Sequence, residues 1–134
     1  MLKESMRLGW LAAGLAVVLA ACSDAGGPND GSCDGPIALT VDPVGDPTFT
    51  WAPSCTVAQV RVQQVADGVV VWEVEADANS IDPAVVYGNV PAGATETVDE
   101  ELLDDGVQYR LVLSVRDPVS GTLFVHASAT FTAQ

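Results

Sequence analysis

The chain has 134 residues, of which 5 are basic and 18 acidic, giving a formal charge of −13. The length suits one domain, and the charge argues against a nucleic-acid partner, because a phosphate backbone is held by clustered Lys and Arg. The same balance argues against attachment to an anionic membrane through a basic patch.

Residues 1–21 divide into a cationic start with Lys3 and Arg7 and a charge-free run of 14 residues, Leu8 to Ala21. A bilayer-spanning helix takes ~20 apolar residues, so a cleaved export signal fits better than a permanent span. The run ends in Leu19-Ala20-Ala21-Cys22. These residues resemble the lipobox of bacterial lipoproteins, and the resemblance covers residues 1–22. It implies that the thiol of Cys22 receives a diacylglycerol and that Cys22 becomes the mature N-terminus. An ordinary secretory signal with a coincidental cysteine is the alternative. Two acyl chains at ~0.8 kcal/mol per buried methylene would anchor the protein stably. Ser23 stands where an aspartate tends to retain Gram-negative lipoproteins at the inner membrane, so the resemblance implies the cell envelope and, in a Gram-negative host, the outer membrane.

Loss of Lys3, Glu4 and Arg7 with the signal leaves 113 residues carrying 3 basic and 17 acidic side chains, net −14. Residues 22–35 begin with Cys22 and continue from Ser23 to Gly35 with Gly, Asp, Ser and Asn and no core-forming residue, the composition of a flexible tether. Near its end lies Cys33, and Cys55 lies 22 residues on. With Cys22 taken by lipid, an exported protein has an even pair left, which predicts a Cys33–Cys55 disulfide.

From residue 36 to 134 the pattern has a period of two. Ile37, Leu39 and Val41 alternate with Ala38, Thr40 and Asp42, and Phe49 and Trp51 with Thr48 and Thr50. Ala58, Val60 and Val62 oppose Gln59, Arg61 and Gln63. Next, Val70, Trp72 and Val74 oppose Glu73 and Glu75, which places Trp72 in the core. The stretch Ala84 to Val90 reads as a further strand and Ala94 to Glu101 as an acidic loop. Val107, Tyr109, Leu111, Leu113 and Val115 form one face of a long strand; Leu123, Val125, Ala127, Ala129 and Phe131 form one face of the last. Asp42 to Pro47, Ala66-Asp67-Gly68 and Asp117 to Gly121 read as turns. About seven strands in some 100 residues describe an all-β antiparallel sandwich.

Two motifs narrow the class. Phe49-Thr50-Trp51-Ala52-Pro53 is similar to the second-strand tryptophan and proline of fibronectin type III domains. Leu103-Asp104-Asp105-Gly106-Val107-Gln108-Tyr109 matches the Leu, Gly and Tyr spacing of a tyrosine corner, whose hydroxyl bonds back to the preceding turn. The chain therefore resembles the fibronectin type III, immunoglobulin-like group over residues 36–133, apart from its cysteine pair. In that topology both cysteines fall at one pole.

Chemistry is sparse. The lone histidine, His126, has no companion nucleophile and shares the outward parity of Phe124, Ser128 and Thr130. One histidine and two paired cysteines build no zinc site, and no cofactor is implied. Asp99, Glu100, Glu101, Asp104 and Asp105 form the densest carboxylate cluster, read as a solvated loop and as a weak candidate for a divalent cation site. Phe124, Val112 and Val69 are the apolar residues expected outside, and so the candidates for contact. The expectation is a non-catalytic, lipid-anchored binding or structural module of the envelope, with a protein or carbohydrate partner. The alternative is a domain binding a soluble carbohydrate or divalent cation through the acidic loop.

Overall fold

Alternation of apolar and polar side chains builds a core-facing and a solvent-facing side along each strand. In the computed structural model, which describes residues 31–134, eight strands form two antiparallel sheets. The export signal and Cys22 lie outside the described residues. β1 (Ala38–Asp42), β2 (Thr48–Ala52) and β5 (Val85–Val86) make a three-stranded sheet in the order β1-β2-β5. β3 (Gln59–Gln64), β4 (Val70–Ala76), β6 (Ala94–Val98), β7 (Gln108–Arg116) and β8 (Leu123–Thr132) make a five-stranded sheet in the order β6-β4-β3-β7-β8. The protein is an all-β sandwich.

The core lies between the sheets. Phe49 and Trp51 from β2 meet Val60, Val62, Trp72, Val74, Leu111, Leu113 and Phe131 from the larger sheet. The Phe49 and Phe131 rings contact across the layers with centroids 5.7 Å apart, and Trp72 packs on Tyr87 at 5.2 Å. Trp72 is fully buried, so its truncation to alanine would cost about 3–5 kcal/mol. Its indole N–H still needs an acceptor in this apolar setting. Glu96 of β6 supplies one, at 2.8 Å.

Several expectations are corrected by pairing geometry. Ala94–Val98 is the edge strand β6, not a loop, and of Ala84 to Val90 only Val85–Val86 is strand. A bulge between Val62 and Gln63 sets Val62 opposite Trp72 but Gln63 opposite Val70. The extra residue, Val71, is consequently buried in the place expected for Val70, which is half-buried. A second bulge, between Leu113 and Ser114, sets Ala127 opposite Leu113 but Val125 opposite Ser114. Beyond it the parity of β8 is reversed: Leu123 and Val125 lie on the outer face, and Val125 is 68% exposed. Phe124 and Val69 are exposed as expected, but Val112 is only 7% exposed. Val112 sits mid-sheet, flanked by Arg61 of β3 and Ser128 of β8.

Candidate functional site

The two ends of the sandwich carry the groups that the sequence singles out. At one pole the chain enters β1, leaves β2 and enters β3. Cys33 and Cys55 are joined there, with Cα atoms 4.9 Å apart. The N–H of Cys33 donates to the Thr56 carbonyl and that of Thr56 to the Gly31 carbonyl, both at 2.9 Å. Residues placed in the tether by composition are thus held against the sandwich from Gly31 onward. The indole N–H of Trp51 donates to the Cys55 carbonyl at 2.8 Å, fixing the loop that presents Cys55.

The same pole has a polar knot that the periodicity did not mark. Asn79 bonds the main chain of Arg116 twice, accepting from its N–H at 2.7 Å and donating to its carbonyl at 2.8 Å. The Arg116 guanidinium donates to Glu75 at 2.6 Å and to the carbonyls of Gly121 and Ala76 at 2.9 and 3.0 Å. Its fork of donors on a fixed plane suits several acceptors at once. In the adjoining turn Asp117 accepts from the N–H groups of Val119 and Ser120 at 2.8 and 3.0 Å. Those bonds favour the carboxylate and lower its pKa. His126, on the edge strand β8, is half-buried, and its Nε2 is 2.7 Å from the Gly35 carbonyl. A carbonyl only accepts, so Nε2 is the donor nitrogen.

At the far pole the expected tyrosine corner is formed. Gly106 takes φ +82°, where a side chain would be strained, and turns the chain into β7. The buried Tyr109 hydroxyl then accepts from the N–H of Asp104 at 3.0 Å, and Leu103 packs on the core. A second hydroxyl anchor comes from Tyr87, whose role the sequence did not reveal. It donates to the Glu101 carbonyl at 2.6 Å, while the N–H of Glu101 donates to the Val71 carbonyl at 3.0 Å. Burial of the phenol raises the Tyr87 pKa well above its ordinary value, opposed in part by the bond to Glu101.

These anchors grip the acidic loop through its backbone. The side chains of Asp99, Glu100, Glu101, Asp104 and Asp105 are left exposed. Among the described residues no three acidic, His or Cys side chains converge as a metal site would need, so the cluster is not gathered for a cation. Beside it, Asp46, Pro47, Tyr87, Glu100, Leu103 and Ala133 line a shallow pocket of about 180 Å³. That is below the ~300–1,000 Å³ of ordinary small-molecule sites.

Fold and site together define a disulfide-closed β-sandwich with a tied entry pole and an acidic far pole. No family model, no curated protein and no solved structure matches the chain.

Proposed function

We propose that this protein is a lipid-anchored module of the bacterial cell envelope, a fibronectin type III-like sandwich held to the membrane through a diacylglycerol on Cys22. It acts by binding or spacing and not by catalysis. The observation that carries the reading is the closed entry pole. Cys22 precedes Gly31, the first of the described residues and one bonded to the sandwich, by nine positions, a reach of at most about 30 Å at ~3.3 Å per residue. Such a link would keep the entry pole toward the membrane and leave the far pole free for partners. The disulfide supports an oxidising compartment, as export would supply. The fibronectin type III likeness draws support from Trp51 in the core of β2 and from the bond between Tyr109 and Asp104.

Mass spectrometry of the mature N-terminus tests the anchor. The wild-type protein is expected to begin at Cys22 with a thioether-linked diacylglycerol, and Cys22→Ala to abolish that modification. An unmodified wild-type N-terminus would overturn the proposal.

A further inference from the structure

We infer that the free edge of β8 is a docking site for a second copy of this chain, two β8 strands pairing antiparallel about a two-fold axis. β8 is the longest strand, ten residues, and lies at the end of the five-stranded sheet, with β7 as its only ladder partner among the described residues; β1 of the other sheet comes near it, and His126 is bonded to Gly35 ahead of β1. Its sequence, LFVHASATFT, contains no Asp, Glu, Lys, Arg or Pro. Edge strands are ordinarily blunted by charge, proline, a bulge or brevity. Here the devices are the bulge at His126 and the chain entering β1, whose Gly35 carbonyl meets the His126 ring; the ladder of Ala127–Thr132 with β7 is regular.

The phase of the ladder shows which groups are unpaired. Ala133 turns its backbone toward β7, donating to the Val107 carbonyl at 3.1 Å and accepting from the Gly106 N–H at 2.9 Å. Alternation then directs Phe131, Ala129 and Ala127 to β7 and aims the N–H and C=O groups of Thr132, Thr130 and Ser128 outward. Pairing centred on Thr130 sets Thr130 opposite its own copy and Ser128 opposite Thr132. All three side chains are exposed on the outer face, and hydroxyl pairs of this kind stabilise antiparallel neighbours.

Charge selects this edge over the others. On the proposed removal of the signal, the mature chain of net −14 repels its own copies except where acid is absent. Arg61, Arg110 and Arg116, the only basic residues left after signal removal, all lie on the outer face of the five-stranded sheet. The carboxylates on that face are Glu73 and Glu75, paired with Arg61 and Arg116 at 2.6 Å. This is the side on which a second acidic copy meets no excess of like charge. The competing edges are shorter: β6 holds Glu96 and runs into Asp99, β1 ends at Asp42, and β5 has two residues. A ladder of five residues, Ser128–Thr132, buries far less than the ~1,200–2,000 Å² of a standard interface, so the association is weak and reversible.

Engineered cysteines in the full chain, expressed in its own envelope and oxidised with copper phenanthroline, read such a contact. A hydrogen-bonded antiparallel pair has Cα atoms ~5.5 Å apart, within the range of a disulfide. Thr130→Cys is expected to give a disulfide-linked dimer at least fivefold above Thr95→Cys on the opposite edge, and adding Ser128→Asp to Thr130→Cys should suppress it. Equal cross-linking at the two edges, or none at either, overturns the inference. A Thr130→Cys product whose mass is not twice that of the chain also overturns it, in favour of a foreign strand. The same comparison in a Cys22→Ser background, which offers neither a thiol nor a lipid at that position, reads the contact apart from the proposed anchor.

Discussion

The two poles of the sandwich are held by different chemistry. The entry pole is tied by a covalent bond, by a charged knot around Arg116 and by the His126 contact to Gly35. At the far pole two phenol hydroxyls bond the backbone, at Asp104 and Glu101, and leave five carboxylates to solvent. The contrast separates rigidity from availability. Where the chain enters, side chains are consumed in holding the fold; at the other end the fold is held through main chain and the side chains stay free.

Removing the covalent tie should have the largest effect. Cys33→Ser with Cys55→Ser opens a loop of 22 residues and should cost about 3 kcal/mol in a denaturant titration, with the far pole kept folded in the surviving native state. A loss below ~1 kcal/mol would mean that the knot around Arg116 holds the entry pole without the disulfide.

A smaller loss is expected at the far pole. Tyr87→Phe leaves the ring in the core but strips Glu101 of its donor, for about 1–2 kcal/mol at neutral pH. The raised phenol pKa fixes the sign of the pH dependence. The folded state favours the protonated form, so the stabilisation is complete below the unfolded phenol value of ~10 and is lost as pH rises above it. Wild type should therefore lose stability on the alkaline side more steeply than Tyr87→Phe. Parallel alkaline limbs in thermal melts would assign that loss to other groups.

The smallest expected effect is none. Millimolar calcium should leave the melting temperature where a chelator leaves it, because the exposed carboxylates do not converge on a common point. An upward shift would show that the far pole gathers a site on binding, and would move the functional reading toward the soluble-ligand alternative.

Much of the sandwich was legible because its early strands obey strict alternation. Phe49, Trp51, Val60, Val62 and Trp72 are all buried as the period requires. Reading failed where two strands count residues differently. A bulge is a property of a pair, and nothing local to Val70 or Val125 reports the extra residue at Val71 or His126. β6 escaped because Ala-Thr-Glu-Thr-Val carries few large apolar residues, as an edge strand can. For the functional groups, the disulfide followed from parity and the tyrosine corner from a spacing. Tyr87 and Asn79 were missed because their partners, Glu101 and Arg116, are brought to them only by the tertiary fold.

The route of mechanical load follows from the bond between Cys33 and Cys55. β1 is a five-residue edge strand paired on one side only, to β2, and traction on the preceding chain would otherwise peel it away one hydrogen bond at a time. Because Cys33 is joined to Cys55, such traction bypasses β1 and enters at the connection between β2 and β3, one strand in each sheet. Both layers share the strain, and the outermost strand is spared.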